Sequence, residues 1–272
     1  MAVKVLVVTK GHPFDYNGFY AMFDDNPELL TTQVEQPAGQ IMLQPENIAE
    51  YEAVVFYDMS GTESPDGGAS FVAAPDDYQK SIAALLESGK GIVMMNHALV
   101  QWPAWPEWRD VGGSSFRLTE GEVFGETVSG SGYRGGGGEP HRNPRGNVTP
   151  VAPGHPVVAG LDDGFNVADE LYLMSKSFET QPGILPLMQT DYPMVRENFN
   201  PPPLASAEEQ ANWDHPEGSN VVVWAKKSVN SPVVAMTIGD GPECYANEGF
   251  RQLLGNALHW VASADARSWA QS

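Results

Sequence analysis

Four side chains able to move protons or hold a cation each follow a short apolar run. His12 comes just after Lys4–Lys10 (KVLVVTK), and Asp58 ends Ala53–Asp58 (AVVFYD). His97 follows Gly91–Met95 (GIVMM), and Asp240 follows Pro232–Ile238 (PVVAMTI) within Gly239-Asp240-Gly241. Imidazoles titrate near neutrality and exchange protons readily, while neighbouring carboxylates orient or charge them. The same donors, His12, His97, Asp58 and Asp240, would also suit a divalent ion that activates water. A second acidic pair, Asp169-Glu170 beside Tyr172, becomes a candidate general acid or base if burial raises its pKa values.

Covalent catalysis has little support. The pattern G-x-S-x-G, which places a nucleophile on a sharp strand-to-helix turn, is absent. The corresponding turn after Gly91–Met95 reads Asn96-His97-Ala98, and the single cysteine, Cys244, is expected to be a packed, inert thiol. Gly130-Ser131-Gly132-Tyr133-Arg134-Gly135 spells a dinucleotide fingerprint by letter, but the sequence suggests no strand before it, and three more glycines follow. It reads as a flexible lid, whose Tyr133 and Arg134, with His141 further on, are candidate substrate contacts. Trp102 and Trp105, in WPAWPEWRD, offer flat faces for the C–H surfaces of a sugar whose hydroxyls bond to Asp, Glu, Asn and His.

Positioning these residues requires a sheet. Apolar strands at Lys4–Lys10, Thr31–Gln36, Ala53–Asp58 and Gly91–Met95 alternate with helical patterns over Tyr16–Phe23 and Asp76–Ser88. Strands without polar alternation are buried on both faces, which predicts a doubly wound, mostly parallel α/β sheet. Ligands in such sheets sit beyond the carboxyl ends of the strands, where His12, Asp58, His97 and Asp240 are expected to converge. Ile184–Thr190 and the closing pair Asn220–Lys226 and Pro232–Ile238 add strands, and Gln252–Ala262 reads as a final amphipathic helix. Two large loop insertions, at about 113–147 and 193–218, interrupt what reads as one domain over 1–272.

The chain has 272 residues and a formal charge of −20, from 15 Lys and Arg against 35 Asp and Glu. Nucleic acid and anionic membranes attract basic surfaces, so neither is an expected partner. One cysteine excludes an internal disulfide. No 18-residue apolar stretch is present, and the N-terminus lacks the pattern of a secretory signal, so a cytoplasmic location is expected.

The ordered segments VLVVTKGHPF (Val5–Phe14), YEAVVFYDM (Tyr51–Met59), GKGIVMMNHALVQWPAWPEW (Gly89–Trp108), HPVVAGL (His155–Leu161), DELYLM (Asp169–Met174) and YANEGFRQLLGNALHWVA (Tyr245–Ala262) resemble the ThuA-like family. The resemblance implies a flavodoxin-like, class I glutamine amidotransferase-like three-layer sandwich without the amidotransferase cysteine. It also implies a link to trehalose and its 3-keto derivatives, with His12, His97, Asp169, Glu170 and Tyr172 as site residues. Family members often carry Gly-His-Asp after the last strand, where this chain has Gly239-Asp240-Gly241.

The expectation is an enzyme of carbohydrate metabolism that isomerises or eliminates a sugar or 3-keto-glycoside, with His97 or His12 as base and Glu170 or Asp169 as acid. Arg134 or His141 would stabilise enolate charge, and Asp58, Trp102, Trp105, Tyr133, Tyr172 and Asp240 would contact substrate. A divalent-metal-assisted hydrolase and a non-catalytic carbohydrate-binding protein are the alternatives. No cofactor is required by the first reading, a divalent metal by the second, and a homo-oligomer is left open.

Overall fold

The computed structural model describes residues 2–63, 70–114, 116–135 and 143–272. His141, expected to contact substrate, lies outside the described residues.

Nine strands form one sheet. The first four are β1 (Val3–Lys10), β2 (Leu29–Glu35), β3 (Ala53–Asp58) and β4 (Gly91–Met95). After a short strand outside the sheet, β5 (Gly132–Arg134), come β6 (Arg145–Pro150) and β7 (Phe165–Ala168), then a second outlier, β8 (Leu171–Leu173). The sheet is completed by β9 (Ile184–Thr190), β10 (Val221–Ser228) and β11 (Ser231–Met236). Its order is β7-β6-β9-β10-β11-β4-β3-β1-β2. From β11 to β2 all neighbours run parallel, and the remaining pairings are antiparallel. The doubly wound α/β class expected from the sequence is therefore present, widened on one side by antiparallel strands.

Every residue of β3, β4 and β11 is buried, as expected of central strands covered on both faces. Edge strand β2 has no buried residue, with Leu30, Thr32, Gln33 and Glu35 exposed. Among the described residues, the α-helices of seven residues or more are α1 (Tyr16–Asp24), α2 (Asp76–Glu87), α3 (Pro106–Gly112), α4 (Glu248–Val261) and α5 (Ala264–Ala270). Helix α4 begins four residues before the expected Gln252 because Asn247 caps it, its side chain accepting from the Phe250 amide.

Strand parity assigns side chains to two apolar layers. Val5, Val7, Val55, Tyr57, Val93 and Met95 face a layer with Phe250, Leu254 and Leu258 of α4. Leu6, Val8, Val54, Phe56, Ile92 and Met94 face the other, with Tyr78, Ile82 and Trp108. The order reverses between β1 and β3, so their carboxyl ends open a crevice.

The two insertions are fastened to each other. Strand β5 pairs antiparallel with β8 on one side. On its other side Tyr133 exchanges backbone hydrogen bonds with Asn200 at 3.0 and 2.8 Å. Trp213 donates to the Gly130 carbonyl at 3.1 Å and packs on Gly132. Gly132–Arg134 is thus a paired strand rather than the flexible lid expected from its glycines. The sequence alone could not show that Asn200 and Leu171–Leu173 supply its partners.

Candidate active site

Three loops deliver the site. After β1, Lys10 and Gly11 take φ of 144° and 84°, and a Cβ on Gly11 would lie 2.2 Å from the Met59 carbonyl oxygen, so only glycine permits this approach. His12 follows directly. After β4, Asn96 adopts φ 37°, a left-handed conformation that asparagine tolerates better than most residues. Its side chain fixes the turn, donating to the Thr237 carbonyl at 2.7 Å and accepting from the Tyr172 hydroxyl at 2.6 Å. That turn presents His97. After β11, Gly239 at φ 112° leads into Asp240.

The His12 and His97 rings stack with centroids 3.8 Å apart, and the Tyr57 ring meets His97 edge-on at 5.3 Å. His97 Nε2 lies 3.4 Å from Asp240 Oδ1 and 3.8 Å from Glu170 Oε2. Both Nδ1 atoms are buried with no hydrogen-bond partner among the described residues. Burial lowers both imidazole pKa values, His97 most strongly, with His12 beside it adding to the effect. Both rings are therefore neutral at pH 7 and able to accept a proton.

Asp240 Oδ1 accepts from the Tyr57 hydroxyl at 3.2 Å, and Tyr57 and Tyr245 share a hydrogen bond at 2.7 Å. Burial raises both phenols, so they stay protonated as donors. Glu170 is buried, and desolvation, reinforced by the charge of Asp169, raises its pKa to about 8. At neutral pH it carries a proton it can give.

Asp169 does something different. Its carboxylate accepts from the Gly239 amide, from Asp240 N–H at 3.0 Å and from Glu170 N–H at 3.0 Å. Burial raises it to about 6 against those donors. With both oxygens occupied by backbone, Asp169 ties the Asp240 loop to β8 rather than acting as the acid that the sequence suggested. Tyr172 is likewise buried; its hydroxyl donates to Asn96 and also meets the Glu170 carboxyl, so it braces both the His97 turn and Glu170. Cys244 is fully buried, and burial, with Asp169 beside it, holds its thiol well above its ordinary pKa, as expected of an inert thiol.

Asp58 does not converge with the others. It occupies the alternate parity of β3, beneath the opposite face of the sheet, and accepts from Gln36 at 3.0 Å and Ser60 at 2.9 Å. The imidazole–carboxylate cluster contains His12, His97 and Asp240 without it. Trp102 and Trp105 also lie on that opposite face, packed near Tyr78 and lining a separate cleft. Tyr133 and Arg134 sit closer to the expectation: β5 pairs Arg134 with Leu171, the neighbour of Glu170, and both line an open depression of about 420 Å³ with Asn200.

Sequence reading missed Tyr57, Tyr245 and Asn96. For Tyr57 the signal was available, since the residue before Asp58 must face the other way on a strand. Tyr245 had none, because only the fold brings it beside β3.

The family profile described as trehalose utilisation matches residues 4–261. A ThuA-like protein from Parabacteroides merdae superposes with TM-score 0.62 at 15% identity, covering 97% of this chain and 91% of that one. Another from Bacteroides uniformis gives 0.62 at 16%, covering 95% and 91%. The cytoplasmic protein STM3548 of Salmonella typhimurium gives 0.50 at 12%, covering 95% and 99%. These likenesses establish the fold. A search of curated proteins finds no match. Among the described residues no helix is long and apolar enough to cross a membrane.

Proposed function

The chain belongs to the ThuA trehalose-utilisation family, and on that premise we propose that it is an enzyme of carbohydrate metabolism acting on a sugar or 3-keto-glycoside of the trehalose type. The reaction is isomerisation or elimination by acid/base chemistry in the cytoplasm. The observation that carries this reading is His97 Nε2 set 3.4 Å from Asp240 Oδ1, which accepts from the Tyr57 hydroxyl, and 3.8 Å from Glu170 Oε2.

A ketone at C3 acidifies the neighbouring C2–H bond. His97 Nε2 takes that proton, and Asp240 stabilises the imidazolium that forms. The electron pair of the C–H bond becomes an enolate, whose charge Arg134 at the rim is suited to balance. Collapse of the enolate expels the glycosidic oxygen from C1, and Glu170 supplies the proton that the leaving oxygen needs. Passage of the O2 proton to O3 and return of the C2 proton to C3 instead moves the ketone to C2, which is isomerisation. Both outcomes conserve atoms and need no Ser or Cys nucleophile.

The same atoms favour a second reading. One ligand atom each from His12, His97 and Asp240 lie within 4.8 Å of one another, a spacing and donor set suited to a divalent ion. Bound there, the ion would supply Lewis-acid activation of a water or carbonyl oxygen for hydrolysis. NMR of trehalose and 3-keto-trehalose incubated with the protein, with and without EDTA, separates the readings. Product from the keto sugar alone, insensitive to EDTA and lost in His97→Ala, supports enolisation. EDTA-sensitive turnover supports the metal. Saturable sugar binding without any product rejects both in favour of a binding protein.

A further inference from the structure

Beyond the reaction at His97, the opposite face of the sheet carries a cleft of about 170 Å³ whose walls include Trp102, Trp105, Phe116, Arg109 and Arg117. Two arginines meet there in a chain of net charge −20. Ordinarily such arginines would be drawn into ion pairs, since carboxylates outnumber them heavily. Arg117 forms none among the described residues, although Glu120 and Glu122 flank Gly121, against which its guanidinium packs. Its Nε is buried without a hydrogen-bond partner. Arg109 reaches only Asp110, at a long 3.7 Å, and rests its guanidinium over the Phe124 ring at 5.7 Å.

A half-buried guanidinium loses hydration and gains nothing unless an anion replaces the water. Here burial and the neighbouring Arg109 both act against the charge on Arg117. Folding has therefore placed two like charges near each other, and Asp110 and Phe124 serve Arg109 while Arg117 has no paired counter-charge among the described residues. An oxyanion between them would supply one, because guanidinium forks match carboxylate and phosphate geometry with paired N–H donors. The indole walls supply a flat apolar surface for the remainder of such a ligand.

We propose that this cleft is a second binding site, separate from His97, for a small ligand with a carboxylate or phosphate head and a ring-shaped or apolar body. Arg117 and Arg109 hold the head, and Trp105 and Phe116 flank the body. The ligand differs in class from the neutral sugar of the catalytic site, so the two sites bind independently chosen molecules.

Tryptophans lining the cleft make binding visible by intrinsic fluorescence without any turnover. Inorganic phosphate, glucose 6-phosphate and glucuronate would be titrated against the full-length protein, with glucose as the neutral control. The expected result is a saturable fluorescence change with at least one anion, weakened by added salt and absent with glucose. Phosphate alone sufficing would assign the head group as the main determinant, and a response to glucuronate would extend it to carboxylates. Arg117→Met is expected to weaken binding at least tenfold and Arg117→Lys less, while His97→Ala binds as wild type. Thermal melts establish that each variant is folded, and Arg109→Met gives an independent second removal of charge. Absence of a saturable response to all three anions, equal response to glucose, or unchanged binding in both folded methionine variants would overturn the proposal. Loss of turnover in His97→Ala with anion binding intact would leave it standing, so its failure and that of the enolisation reading are distinguishable.

Discussion

Tyr57 and Asp58 are adjacent on one strand, yet they belong to two polar clusters on opposite faces of the sheet. Above Tyr57 lie His12, His97, Asp240 and Glu170. Beneath Asp58 lie Gln36, Ser60, Gln101 and Tyr78. Both clusters are buried, and both contain a carboxyl lifted by desolvation, Asp58 to about 6 and Glu170 to about 8. A raised pKa therefore does not by itself separate them. The difference is what the groups face. Asp58 Oδ2 receives bonds from the neutral donors Gln36 and Ser60, whereas His97 faces two carboxyls. Atoms without a partner among the described residues occur in both clusters, Asp58 Oδ1 and Gln36 Oε1 as well as His97 Nδ1. An imidazole between carboxyls can pass a proton across its cluster, whereas neutral donors around a lone carboxyl only hold it in place.

The sharpest way to break this comparison is to remove one residue from each cluster. His97→Ala should lower turnover of the keto sugar by about 10²–10⁴, the range for a positioned general base, with the melting temperature little changed. Asp58→Ala should leave turnover per folded molecule near wild type. Loss of activity in a folded Asp58→Ala protein would mean that the two faces share one site after all.

Glu170→Gln tests the acid. In the wild type, kcat/KM should hold through neutrality and fall as pH rises past about 8, where the buried carboxyl gives up its proton. In the glutamine variant, turnover should drop by about 10² and the alkaline fall should vanish. An unchanged alkaline limb in that variant would assign the titration to another group.

Sequence made the parallel half of the sheet legible because unbroken apolar runs admit few other interpretations. The ends of those runs placed His12, His97 and Asp240 correctly at the carboxyl edge. The same reasoning misplaced Asp58, since ending a strand fixes position along it but not which face the side chain takes. The placement of Trp102 and Trp105 away from His97 was not legible for a related reason: aromatic type suggests a ligand platform but not which face of the sheet it lines. Asp169 and Tyr172 were visible as polar residues in an apolar segment. Their roles depend on the Gly239 loop and on Asn96, which lie 70 and 76 residues away in sequence.

On the Asp58 face the expected cost is to stability. Asp58→Ala leaves Gln36 and Ser60 without their acceptor and should destabilise the fold by about 1–3 kcal/mol in denaturant titrations. The pH dependence has a definite sign. An unfolded aspartate loses its proton near 3.9, whereas folded Asp58 keeps it to about 6, so its proton-linked stabilisation is complete below the unfolded value. That contribution is lost as pH rises through about 6. Asp169 and Glu170 act in the same direction, so Asp58→Asn should make the decline between about pH 4 and 6 shallower without abolishing it.

The smallest expected effect connects the two layers. Tyr172 packs with the Asp58 side of the core, against Phe116 at 4.8 Å, yet its hydroxyl reaches Asn96 at 2.6 Å on the turn that presents His97. Tyr172→Phe keeps the ring and its packing while removing one of the two bonds that hold Asn96 at a positive φ, together with the hydroxyl's contact with Glu170. The remaining bond to the Thr237 carbonyl should keep the turn folded but looser. Turnover should fall about tenfold, equivalent to about 1.4 kcal/mol of barrier, with KM unchanged because the phenol does not touch substrate. Tyr78→Phe, an equally buried phenol in the Asp58 cluster, is the matched control and should leave kcat alone. Equal loss of kcat in both variants would show that burial of any phenol in this layer matters, and that the hydroxyl's bonds to Asn96 and Glu170 are not what carries the effect to the site.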